Sequence, residues 1–105
     1  LPLQTDRVSL GQPVPDYMVR LIGATRSHPM ILQGGSPRAT LALAAMSKAM
    51  AFVLGRDYVI PEDVRRVFQD TVAHRIILSP RADGTVPVRD LLRELLTATP
   101  APQIQ

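Results

Sequence analysis

With 105 residues and a formal net charge of +3, the chain has material for one small domain with a basic surface. It has no cysteine, which excludes a disulfide framework and a thiolate zinc site, and no apolar run long enough to span a membrane. Aromatics are scarce, so the core must come from Leu, Val, Ile, Met and Ala, a mixture suited to packed helices.

Residues 1–12 carry no helical period and read as an extended lead-in; the opening LPLQTD, without Met, is expected to follow a preceding domain. Pro13 and Pro15 suit a helix opening, where a missing N–H costs little. Tyr17, Met18, Leu21 and Ile22 then mark one buried face of a helix over 13–25. Pro29 ends it, because the residue before a proline is biased out of the helical region. MILQ reads as a short extended segment, and Gly34-Gly35 turns the chain.

The second helix is expected over 37–54, with Ser36 as N-cap, Pro37 at the first position and Gly55 just past its end. Thr40, Ala44, Ser47, Lys48 and Ala51 share one arc, and apolar residues fill the remainder. That breadth predicts a central helix contacted from several sides. Pro61, Glu62 and Asp63 open a third helix over 61–73, with the stripe Val64, Val67, Phe68 and Val72. RIILS reads as a short strand or the end of that helix, and PRADGTVP as a loop. A fourth helix over 87–97 lines up Val88, Leu91, Leu92, Leu95 and Leu96, and 98–105 is a Pro-broken tail. The fold class is therefore mainly α, a small four-helix bundle over 13–97 with one or two short extended pieces.

The chemistry is selective. There is no G-x-x-x-x-G-K-[ST] or G-x-G-x-x-G phosphate loop. His28 and His74 lack ligand-spaced partners, so no metal site is expected. No catalytic residue is assigned within the chain. Arg38 stands out, because a cation in a first helical turn faces the positive end of the helix dipole. Two readings are open. Free amides at a helix start form a ready anion site, and a guanidinium beside them can grip phosphate in bidentate fashion. Alternatively, Arg38 lays its stem on the core and its head in water.

The segment GGSPRATLALAAMSKAMAFVLGRDYVIPEDV, followed by HRIILS, resembles the C-terminal lid of MoxR-family AAA+ ATPases. The family pattern matches at Gly34–Arg38, Gly55–Val59, Pro61–Val64 and His74-Arg75, and YMVRLIGATRSHP is similar to its preceding helix. The likeness covers about residues 8–97. It implies a four-helix AAA+ lid in which Arg38 is the sensor 2 residue touching ATP phosphates, with Ser36 and Pro37 supporting it at the helix start. It implies a cytoplasmic parent ATPase that binds ATP and Mg²⁺ in a core domain of the same chain, assembles as a hexameric ring, and does chaperone-like remodelling, with von Willebrand factor A-type proteins among its partners. The chain alone, lacking the phosphate loop and Mg²⁺-site acids, is expected neither to hydrolyse ATP nor to hold nucleotide tightly.

Two departures from the pattern concern local structure. Ile60 stands where relatives carry Thr or Ser, which removes a side-chain cap of about 1 kcal/mol. Gly35 replaces a commoner Ala. Arg56 is expected to pair with Asp57 or a carbonyl, or to serve an interface with Arg75; His74-Arg75 either packs the lid or faces a neighbouring subunit. Two rival readings stand beside the lid. One is a stand-alone helical protein-interaction domain. The other is a nucleic-acid-binding domain, disfavoured because Glu62 and Asp63 would repel phosphates at the start of its best recognition helix.

Overall fold

The computed structural model describes residues 8–11, 13–80 and 87–102. Four helices and a two-stranded sheet follow one another: α1 (Val14–Ser27), β1 (Ile31–Gln33), α2 (Pro37–Val53), α3 (Pro61–Val72), a 3₁₀ turn (Ala73–Arg75), β2 (Ile77–Leu78) and α4 (Val88–Ala98). The expected loop over 80–87 lies almost wholly outside the described residues, as do 103–105 of the tail. The mainly α expectation holds, and the helix ends fall within two residues of those read from the sequence.

Each apolar stripe meets the same core. Tyr17, Met18, Leu21 and Ile22 of α1 pack with Val64, Val67, Phe68 and Val72 of α3 and with Leu91, Leu92, Leu95 and Leu96 of α4. Arg65 ties these three helices at one end, donating from Nη1 to Tyr17 Oη and to the Leu96 carbonyl, both at 3.2 Å. Val8, read as part of a lead-in, is itself buried in the core. Its neighbour Ser9 runs parallel to Tyr58, donating its N–H to the Asp57 carbonyl and accepting from Val59 N–H, each at 3.0 Å. β1 and β2 pair antiparallel, with Ile31 opposite Leu78.

The orientation of α2 corrects the sequence reading. The helix is not enclosed on several sides by the described residues. It buries one narrow stripe, Ala39, Leu43, Ser47 and Ala51, spaced four apart. Three of these four side chains are small, which lets the α2 backbone approach α3, the helix it chiefly packs against. The bulkier apolar residues point away: Leu41 is 71% and Val53 77% exposed. Hydrophobicity favoured the broad arc, whereas close helix approach selected the small one.

The α2 to α3 connection is built from hydrogen bonds. Gly55 lies at φ +84. Its N–H donates to the Phe52 carbonyl at 3.0 Å, and Arg56 N–H to that of Ala51 at 2.9 Å, closing a Schellman turn. Gly55→Ala is expected to destabilise the chain by roughly 1–2 kcal/mol, the cost of a Cβ in the left-handed region. Equilibrium urea unfolding checks this, with an unchanged slope showing that the native state is intact.

At the start of α3, the cap missing from Ile60 is supplied from within the helix. Asp63 Oδ2 accepts the Ile60 N–H at 2.9 Å, the reach-back half of a capping box. Its other oxygen, Oδ1, takes an ion pair from Arg56 Nη2. Arg56 thus pairs with Asp63 rather than Asp57, and its guanidinium also lies over the Tyr58 ring, 5.9 Å from the centroid.

Candidate functional site

The candidate site is the start of α2. Ser36 sits in extended backbone at φ −83, ψ 173, and Pro37 opens the helix with the backbone angle it needs. Ser36 occupies the expected N-cap position, but its hydroxyl makes no bond to the helix; its carbonyl instead accepts Ala39 N–H at 2.8 Å. Among the described residues no side chain is seen capping the opening amides of α2. Arg38 follows at the second helical position and is exposed, while Ala39 beside it is fully buried. Among the described residues no carboxylate pairs with Arg38. The buried Ala39 fixes the roll of the helix, and so the side from which Arg38 leaves it.

The loop before Pro37 is anchored to the end of α1. Gly35 N–H donates to Thr25 Oγ1 at 2.8 Å, and Thr25 in turn donates to the Ile22 carbonyl at 2.5 Å. Arg26 Nε donates to the Gly35 carbonyl at 2.7 Å. Gly34 lies directly on this turn: a Cβ there would come within 2.6 Å of Arg26 N and of Thr25 C. The sequence reading missed Thr25 and Arg26 as supports of the site. The local signal was a polar pair closing a helix, with a double glycine beyond the strand that follows.

One turn along from Arg38, the same face of α2 borders a cleft of about 450 Å³. Ala42, Ala45 and Met46 form one wall, and Asp70, Thr71, His74 and Arg75 the other. Asp70 is engaged by Arg89 at 2.7 Å, and among the described residues Arg75 of the 3₁₀ turn has no carboxylate partner. Arg75 and His74 are both exposed there. Arg56 is not part of this site; it is half-buried on Asp63 at the other end of α2.

The AAA lid domain family matches residues 23–95, from within α1 to within α4. The chain belongs to that family. Chaperone MoxR1 of Mycobacterium tuberculosis is 41% identical to the lid over 73 residues, 61% of this chain and 19% of the relative. Protein MoxR of Methylorubrum extorquens is 40% identical over 89 residues, 80% of this chain and 25% of the relative. The uncharacterised protein YeaC of Bacillus subtilis is 33% identical over 104 residues, 97% of this chain and 32% of the relative. A crystal structure of a candidate ATPase from Cytophaga hutchinsonii superposes with a TM-score of 0.90 at 32% identity, covering 96% of the lid and 34% of that protein. The lid therefore spans about a third or less of the length of these relatives. Among its described residues, no helix is long and apolar enough to cross a membrane, and no three His, Asp or Glu side chains gather as metal ligands.

Proposed function

We propose that the chain is the sensor 2 lid of a MoxR-type AAA+ ATPase, closing over ATP held by a separate nucleotide-binding core. The observation that carries this reading is Arg38: an exposed guanidinium in the first turn of a helix whose N-cap side chain makes no bond to it, following a loop that α1 holds at Gly35. Together these groups favour a phosphate-bearing ligand presented from outside the lid. ATP and Mg²⁺ belong to the core in this reading. The γ-phosphate gives Arg38 a contact in the ATP state that ADP lacks. A contact that differs between two states is what a switch in lid orientation requires.

The exposed apolar side of α2, with Leu41 and Val53, gives the lid a surface to bury against its core. Exposed Arg75 and His74 face a neighbouring subunit of a ring, whereas Arg56 is committed within the lid. Chaperone-like remodelling of partner proteins, von Willebrand factor A-type proteins among them, is the output this reading gives to the cycle, and the cytoplasm is its place.

Steady-state ATP hydrolysis by the ATPase joined to this lid tests the assignment. Arg38→Ala is expected to lower kcat/KM about 10- to 100-fold, the worth of a charge-assisted hydrogen bond. Stability should behave oppositely. Removing a cation from a helix N-terminus leaves the 105-residue chain as stable as before or slightly more so. Unchanged kinetics would sink the sensor assignment and favour a pure interaction domain.

A further inference from the structure

Arg26 has an ordinary explanation as a cation in the last turn of a helix, where it complements the dipole. Its hydrogen bond says more. Thr25 and Arg26, consecutive residues of α1, hold the N–H and the carbonyl of a single residue, Gly35. Both polar groups of one peptide position are thereby fixed. From Gly35 the path to Arg38 is short and stiff: Ser36 is extended, and Pro37 locks its own φ. The Arg26 side chain crosses nine residues of sequence to reach this point. Dipole complementation alone does not call for that reach.

We propose that Arg26 is a positioning residue for Arg38. By holding the Gly35 carbonyl it sets where α2 begins, and so where the Arg38 guanidinium meets phosphate. The proposal rests on the phosphate-sensing reading of Arg38. Thr25 shares the clamp, but it is wholly buried, and truncating it would also disturb the core. Arg26 is exposed, so shortening it removes the bond to Gly35 without emptying the interior.

A double-mutant cycle on ATP hydrolysis separates the possibilities. Wild type, Arg26→Ala, Arg38→Ala and the double variant are compared in the ATPase joined to this lid. Thermal unfolding of each 105-residue chain is followed in parallel. Arg26→Ala is expected to lower kcat/KM about tenfold, the scale of one such hydrogen bond. In the Arg38→Ala background the same change should cost almost nothing, because there is no longer a guanidinium to place. Arg26→Lys keeps a donor on a comparable stem and is expected to recover most of the loss. Losses that multiply in the double variant overturn the proposal, since Arg26 would then act independently of Arg38. So does an Arg26→Ala enzyme as active as wild type while Arg38→Ala is impaired; the sensor reading survives that result. If Arg38→Ala itself changes nothing, the sensor reading falls and the positioning role falls with it.

Discussion

Arg56→Ala is expected to destabilise this chain by about 3–5 kcal/mol, the cost of stranding a buried charge. Asp63 is fully buried, and its two oxygens are divided between Arg56 and the Ile60 N–H. Removing the guanidinium leaves a carboxylate, fully buried in the intact chain, held by one backbone amide. The reverse substitution is milder. Asp63→Ala removes the charge along with the cap, and Arg56, with 19% of its side chain exposed, can swing toward solvent. Its expected cost is about 2 kcal/mol, one cap plus one hydrogen bond. The double variant should therefore be no worse than Arg56→Ala alone. Equilibrium urea unfolding of the three variants decides the matter. If Asp63→Ala proves costlier than Arg56→Ala, the cap rather than the ion pair holds the turn. The pair joins the end of α2 to the start of α3, and their packing sets the roll of the helix that carries Arg38.

Much of this fold was legible because proline and glycine mark its joints. Pro37 and Pro61 begin α2 and α3 at the expected residue, and Gly55 ends α2. The stripes of α1, α3 and α4 are strong enough that their buried faces follow directly from spacing. The face of α2 was not legible. Its apolar residues surround most of the helix, and a hydrophobic pattern cannot say that Ala39, Ser47 and Ala51 will be preferred inside for their size. The pairing of β1 with β2 was also hidden, because strands of three and two residues separated by the whole of α2 and α3 carry no register signal. Val8 gives a third case: a lone apolar residue beside an isolated bridge has no period to reveal it.

The site divides in the same way. Arg38 announced itself by violating the charge preference of a helix start, a rule local in sequence. Its supports obey no local rule. Thr25 and Arg26 reach Gly35 across the turn and strand that separate α1 from α2, so their role depends on how that segment folds back. Arg56 illustrates the opposite error. Asp57 is its sequence neighbour, but the Schellman turn directs Arg56 toward α3, where Asp63 waits at the third helical position.

Gly34→Ala is expected to destabilise the chain by about 3 kcal/mol, the upper range for overpacking, and to lower Tm by roughly 10–20 °C for a domain of this size. The three nearest atoms in the way are all backbone. The added Cβ would lie 2.6 Å from Arg26 N and Thr25 C and 2.7 Å from Arg26 Cα. Neither a rotamer change nor a flexible tip can relieve such contacts, so the loop must lift away from α1. Lifting it breaks the bonds from Thr25 and Arg26 to Gly35, which are the supports of the α2 start. Gly35→Ala is the matched control. The three nearest atoms its Cβ would meet are side-chain atoms, Ile22 Cγ2 at 3.1 Å, Ala39 Cβ at 3.2 Å and Thr25 Oγ1 at 3.5 Å, so a shift of a few tenths of an ångström relieves the contact. The reduced freedom of the unfolded chain offsets part of that strain, leaving a change within about 1 kcal/mol of wild type. Differential scanning calorimetry on the two variants reads the contrast. Equal losses at both positions would mean that the loop is not seated on the α1 backbone. A large loss at Gly34 alone ties the start of α2 to that contact and, on the proposed sensor reading of Arg38, predicts that Gly34→Ala in the ATPase joined to this lid will lose hydrolysis well below its own melting temperature.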